Sequence, residues 1–197
     1  MADKMTKEQR HKCMSHIRSR DTGPELVVRR ALFAAGFRFR VNVSSLPGSP
    51  DIVLRRYNTV IFVNGCFWHG HAGCRLYVPP RSNVDFWRRK VERNRRRDTA
   101  VAFRLEALGW NVVTVWECSL SPKRRKETLA LLGDRIRRNG ETHRQELARR
   151  REMRAALRSE HSFRKARTAA LLGEVDSICH IPASVRRASE DEDMQDS

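Results

Sequence analysis

Residues 59–74, TVIFVNGCFWHGHAGC, constrain the fold more than any other stretch. Val60 to Val63 is an unbroken apolar run rich in β-branched side chains, the pattern of a strand buried on both faces. Asn64-Gly65 stops it with turn chemistry. Cys66, His69, His71 and Cys74 follow at once, with Phe67 and Trp68 among them. A buried strand that ends by delivering four metal-ligand residue types and two large aromatic rings is more than core. The other segments can be read by what they bring to this point.

Upstream, Asp21-Thr22-Gly23-Pro24-Glu25 is a helix start, with Asp21 or Thr22 as cap and Pro24 in the first turn. That helix should end at Gly36. Glu25 in its first turn suits the helix dipole, or is a carboxylate aimed at a metal. Phe37 to Val43 alternates apolar and basic residues and predicts a half-buried strand with a cationic outer face. Leu46-Pro47-Gly48-Ser49-Pro50 is a loop, and Asp51 opens the run Ile52-Val53-Leu54. With the turn at 55–58 and the strand at 59–63, this predicts an antiparallel meander. Asp51 then stands at the mouth of a buried strand, where a lone carboxylate is too costly unless paired, hydrogen-bonded or bound to a cation.

Downstream, Asn83 is a candidate cap for a helix reaching Leu108. Its apolar stripe runs Val84, Trp87, Val91, then Val101, Leu105, Leu108. The missing members are Asn94 and Asp98: two polar residues on an inward face either place Asp98 beside the active centre, oriented by its helix, or mean that the middle turns pass through solvent with Asp98 in a local salt bridge. Trp110 to Cys118 predicts another buried strand, reached by a helical crossover and so parallel to a meander strand. A basic helix from Pro122 to Asn139 should cover the sheet, with a boundary at Gly140. Three segments result: an arm at 1–20, a core domain at 21–140, and a basic extension at 141–197. The extension reads as charged helix or disordered tail, and ends in an acidic run from Glu190 to Asp196.

The formal net charge of +17, carried mostly by arginine, calls for a polyanionic partner, and nucleic acid is the natural one. Lys4, Lys7, Arg10, Lys12, Arg18 and Arg20 make the N-terminal segment an arm suited to phosphate. No apolar run is long enough for a membrane span, and the N-terminus has no apolar h-region, so a cytoplasmic protein is expected. With five cysteines, an odd number, metal ligation or free thiols are expected over disulfides.

Cys66, His71, Cys74 and Cys118 would form a tetrahedral Cys₃His zinc site stapling the loop to the sheet, with His69 competing for the nitrogen position. Whichever histidine is left over, beside a strand-end aspartate and a basic surface, suits acid–base work on a phosphodiester, with Mg²⁺ at Asp51 neutralising charge. These residue types describe a hydrolytic nick in DNA.

The chain resembles the very short patch repair (Vsr) DNA mismatch endonucleases from about residue 8 to 121. The resemblance rests on Ile17-Arg18-Ser19-Arg20-Asp21-Thr22, Leu46-Pro47-Gly48-Ser49-Pro50-Asp51, Val60 to His69 and Val115-Trp116-Glu117-Cys118. It implies an α/β fold, a restriction-endonuclease-like mixed β-sheet flanked by helices and related to the PD-(D/E)xK nucleases. It also implies cleavage of one strand 5′ of the T in T:G mismatches left by deamination of 5-methylcytosine. By position, Asp51 matches the Mg²⁺ ligand, Val63 the main-chain carbonyl ligand, and His69 the general base. Glu25 and Asp98 match acidic residues of the active centre. Cys66, His71, Cys74 and Cys118 match the zinc ligands, and Phe67, Trp68 and Trp87 the aromatics that wedge into the duplex. The arm would lie in the minor groove. A monomer and a link to the mismatch-repair protein MutL are expected. Asn64 stands where some members have His, and two residues rather than one separate His71 from Cys74. Two other readings fit the residues: a zinc-stapled module that binds distorted DNA without cutting, and a nicking nuclease of broader mismatch specificity.

Overall fold

The computed structural model describes residues 20–80 and 82–178, together with positions 6, 8, 9 and 12. Most of the expected N-terminal arm, the side chains beyond position 170 and the acidic end lie outside the described residues. The chain forms two compact units, Met1–Arg144 and Gln145–Ser197.

The first unit is organised on a four-stranded mixed sheet of β1 (Arg40–Val41), β2 (Ile52–Leu54), β3 (Thr59–Asn64) and β4 (Asn111–Trp116), in that spatial order. β2 runs antiparallel to both β1 and β3, and β4 runs parallel to β3 with Val63 opposite Val115. The predicted meander and parallel crossover are both present. Helices α1 (Gly23–Ala34), α2 (Val84–Ala107) and α3 (Arg125–Ile178) accompany the sheet.

Strand alternation sorts the core into two layers. Ile52, Leu54, Ile61, Val63, Val113 and Val115 pack with Val28 and Leu32 of α1 and with Leu132 and Ile136 of α3. Val53, Val60, Phe62 and Val112 point the other way, against Val101 and Leu105 of α2. β3 is buried along almost its whole length because it is central and covered on both faces. Asp51 precedes Ile52 and shares the parity of Val53, so the pleat directs it to the α2 side.

The structure corrects several expectations. The strand predicted over 37–43 contributes only Arg40–Val41 to the ladder, both exposed, because Phe37 turns into the core and Asn42 takes a left-handed φ of 48°. β4 is an edge strand with Asn111 and Thr114 exposed, and it gives way to a 3-10 turn over Glu117–Leu120 before reaching Cys118 as strand. Thr22, not Asp21, caps α1. Asn83 occupies the cap position of α2 with φ 51° but makes no side-chain cap hydrogen bond. Val84 and Leu108, at the ends of the α2 stripe, are exposed, while Val91, Val101 and Leu105 are buried.

α3 starts at Arg125 and does not stop at Gly140. Gly140 is instead a contact point, since a Cβ there would lie 2.6 Å from the Tyr57 ring. Tyr57 in turn meets Phe37 edge-on at 5.1 Å. Asn139 donates to the Thr59 hydroxyl at 3.0 Å, tying α3 to the start of the central strand.

Candidate active site and metal cluster

The C-terminal end of β3 opens into a cleft of about 790 Å³ whose lining includes Glu25, Asp51, Val63, His69, Asn94 and Asp98. Four sequence segments meet there. Two glycines let loops close on α2: Gly48 (φ 72°) and Gly70 (φ 60°) sit where a Cβ would lie 2.4 Å from Val101 and Val91 respectively. Both combine a left-handed backbone with a close approach that only glycine permits.

Asp51 is held by the main chain. Its Oδ2 accepts from the Val63 N–H at 2.7 Å. Burial pushes its carboxyl up to about 6; the Val63 hydrogen bond opposes the rise and the neighbouring Glu25 charge adds to it. A carboxylate destabilised by burial and by a second carboxylate is one that a cation would relieve.

Across the cleft, His69 Nδ1 pairs with Asp98 Oδ2 in a short hydrogen bond. Burial alone would raise the Asp98 carboxyl, but the hydrogen bond and charge of His69, helped by Arg97, hold it below the ordinary carboxylate range. An ionised Asp98 fixes Nδ1 as the donor and leaves Nε2 as the free acceptor, the orientation a general base needs. Asn94, the other polar interruption of the α2 stripe, donates to the Trp68 carbonyl at 2.8 Å. The two exceptions in the stripe thus both hydrogen-bond to the loop after β3.

Glu25 is buried and satisfied. It accepts from the Thr22 hydroxyl (2.8 Å), the Asp21 N–H (3.1 Å) and Arg29 (2.7 Å). It therefore acts in the N-terminal cap of α1, with Arg29 as its ion-pair partner, while lining the same cleft.

Below the cleft, Cys66, His71, Cys74 and Cys118 gather with all four ligand atoms within 4.8 Å of one another. His71 Nδ1 lies 3.5 Å from Cys66 Sγ and 3.4 Å from Cys118 Sγ. Tetrahedral zinc with S and N ligands has ligand–ligand edges of about 3.4–3.8 Å, so the donor types and the two sulfur–nitrogen distances fit. Burial pushes the Cys66 thiol up to about 12, so it keeps its proton at neutral pH unless a metal displaces it. The Leu76 N–H, 3.4 Å from Cys74 Sγ, holds that thiol below its usual range. His71 stacks on Trp116 at 4.0 Å and 2°, which orients its ring toward the cysteines. The competition between the two histidines is resolved, since His69 faces Asp98 and His71 faces the sulfurs. The additional residue between His71 and Cys74 is absorbed by a turn in which Gly73 takes φ 68°.

Phe67, Trp68 and Trp87 form one aromatic cluster, with centroids 5.1–5.9 Å apart, and Phe86 extends it at 5.3 Å from Trp87. Two residues without a role in the sequence reading enter the picture. Phe86 is half-exposed at the cluster's edge. Glu117 accepts from the Cys66 N–H at 3.1 Å and lines the cleft, so it bridges metal cluster and active cleft. Its position next to Cys118 was the only available signal.

Comparison with known proteins places the sequence in a family. Residues 2–75 match the family described as DNA mismatch endonuclease Vsr. The type II nicking enzyme V.XorIIP of Xanthomonas oryzae pv. oryzae is 47% identical over 121 residues, covering 61% of this chain and 88% of that protein. V.NmeAIP of Neisseria meningitidis serogroup A, also a type II nicking enzyme, is 46% identical over 123 residues, 62% of this chain and 87% of the relative. The DNA mismatch endonuclease Vsr of Escherichia coli is 45% identical over 120 residues, 61% and 76% respectively. The chain belongs to the Vsr family of DNA mismatch endonucleases.

Proposed function

We propose that this chain cuts one strand of duplex DNA immediately 5′ of the T in a T:G mismatch, with a restriction-endonuclease-like core and a divalent cation, Mg²⁺, at Asp51. The observation that carries this reading is the juxtaposition, in one cleft, of a strand-end carboxylate pushed up to about 6 with an aspartate-oriented histidine. A DNA-distortion reader has no need of either.

Asp51 supplies a carboxylate oxygen to the cation. A strand residue's N–H and C=O point to the same neighbour, so the Val63 carbonyl opens on the side where its N–H meets Asp51. A divalent cation held by Asp51 and the Val63 carbonyl would supply polarisation of the scissile phosphate and offset charge as the phosphorus becomes five-coordinate. His69 takes the proton from the attacking water at Nε2, and Asp98 stabilises the imidazolium that results. Glu25 orders solvent at the cleft while holding the start of α1. With Asn64 beside the site, His69 is the one histidine among the described residues lining the cleft, and it carries the proton. Zn²⁺ at Cys66, His71, Cys74 and Cys118 is structural. Phe67, Trp68 and Trp87 enter the duplex at the mismatch, where unstacking costs least. The N-terminal arm follows the minor groove, the enzyme works as a cytoplasmic monomer, and MutL couples it to repair.

Asp51→Ala tests the reading. Binding to a mismatched duplex should persist within a few-fold while nicking falls by on the order of 10³-fold, as expected when the ligand for the charge-neutralising cation is removed. Unchanged nicking by Asp51→Ala would end the proposed mechanism. Absence of nicking by the unmodified chain, with mismatch binding intact, would leave a binding module.

A further inference from the structure

The second unit lies beyond the last motif shared with the family, Val115 to Cys118, and nothing in the cleft calls for it. Its described part is helical through Ile178, and every side chain from Gln145 to Ala170 is exposed. This stretch holds seven arginines and Lys165 against three glutamates. The charges are not evenly spread. At about 100° per residue, Arg151, Arg154, Arg158, His161 and Lys165 fall within a sector of about 80°, and no glutamate shares it. Glu146, Glu152 and Glu160 lie on the rest of the circumference. Arg150 borders the stripe and is tied to Glu146 at 2.7 Å, whereas Arg151, Arg154, Arg158 and Lys165 have no ion-pair partner among the described residues. From Arg151 to Lys165 the stripe is about 21 Å long.

The apolar residues narrow the choice of occupant. Leu147, Met153, Leu157 and Phe163 are exposed and spread over about 200° of the helix circumference, with Met153 and Leu157 one i,i+4 pair among them. They form neither a coiled-coil seam nor a face for a lipid surface. What remains continuous is positive charge along one line, which complements a rod of phosphates. Resting on the reading of this chain as a DNA enzyme, we infer that the 151–165 face of α3 docks on the sugar-phosphate backbone of duplex DNA as a second, sequence-independent contact. It adds affinity for fully paired DNA and takes no part in the chemistry.

The test uses full-length protein and two triple variants of equal charge. Arg151→Gln, Arg154→Gln and Arg158→Gln remove the stripe; Arg149→Gln, Arg164→Gln and Arg167→Gln remove the same charge from the other side. Glutamine keeps helix propensity, and circular dichroism verifies it. Affinity for a fully paired duplex is measured by anisotropy across a KCl series without divalent cation. Each phosphate contact contributes a slope of about 0.9 in log affinity against log salt, so the stripe variant should flatten the slope by about 2 to 3 units and the control by less than about 1. Equal slopes in the two variants, or an unmodified chain that ignores paired DNA, would overturn the inference. Nicking of a mismatched duplex at saturating enzyme should stay within about twofold in both variants. If the unmodified chain does not nick at all, the functional reading fails while the salt slopes still decide the helix.

Discussion

Asp51 is kept where folding alone would not want a charge. Its carboxyl binds a proton more tightly in the folded chain than in the unfolded one, since burial raises it from 3.8 to about 6. Between those values the folded state holds the extra proton, so the metal-free protein loses stability as pH rises through that window. Asp51→Asn removes the charge and can still accept from the Val63 N–H. At pH above 7 without divalent cation it should be more stable than the unmodified chain by about 1–3 kcal/mol, with the gap closing below about pH 4, as thermal melts across pH would record. Added Mg²⁺ should raise the melting temperature of the unmodified chain only. An Asn variant that is less stable at neutral pH would mean that Asp51 is a structural residue.

The histidine pair gives a second prediction. His69→Ala should lower nicking by about 10²–10⁴-fold with mismatch binding retained, and Asp98→Asn by a smaller factor because it loses the charge but keeps a hydrogen-bonding side chain. Single-turnover rates at saturating DNA measure both. Asp98 was legible in the sequence because it interrupts an apolar stripe, and a helix cannot hide that break. Glu117 was not. Its partner, the Cys66 N–H, is 51 residues away, and no local pattern encodes a hydrogen bond that only sheet register creates.

Among the elements, the central strand was readable and the edges were not. β3 carries its burial in its own composition. The extent of β1 depends on the left-handed turn at Asn42 that takes the chain away from β2. The end of β4 depends on the 3-10 turn that swings Cys118 toward His71. That turn makes the metal cluster the bond between the β3 loop and the end of β4. Cys118→Ser, or removal of metal by a strong chelator, should lower the melting temperature by several degrees and expose the loop at 66–74 to proteolysis, and the intact protein should carry one zinc per chain by elemental analysis. A metal-free preparation with unchanged stability would rule out the staple.

α3 supplies a sharper contrast. Gly133 has nothing nearer than 3.6 Å to a Cβ, whereas a Cβ on Gly140 would meet the Tyr57 ring at 2.6 Å. Gly133→Ala should stabilise the first unit by about 0.5–1 kcal/mol through helix propensity. Gly140→Ala should destabilise it by about 1–3 kcal/mol through overpacking against Tyr57. Denaturant titrations distinguish the signs. In sequence, a glycine in a basic helix resembles a stop, but α3 runs through Gly140, and the tertiary contact with Tyr57 marks it as a place where helix and turn touch.

At the scale of the molecule, the formal charge of +17 resides in residues 1–144, with 30 basic and 13 acidic residues; residues 145–197 hold ten of each, so the positive charge there is a local feature of the helix. The first unit carries the mixed sheet, the cleft and the Cys/His cluster, and most of that was visible in a few motifs because Asp51, Cys66 and Cys118 sit at strand ends. The helix beyond Arg144 was visible only as basic composition, since a stripe of charge exists only once the segment is known to be helical.

The central claim is that the cleft at the end of β3 cuts DNA at a mismatch and nowhere else. The most direct measurement incubates the protein with a duplex bearing one T:G mismatch and with its T:A counterpart, with and without Mg²⁺, in randomised flanking sequence, and maps the nicks by sequencing. The account predicts cation-dependent cuts immediately 5′ of the mismatched T, abolished by Asp51→Ala and absent from the paired duplex. Cuts of equal frequency in the T:A duplex, or nicking that survives Asp51→Ala, would contradict it.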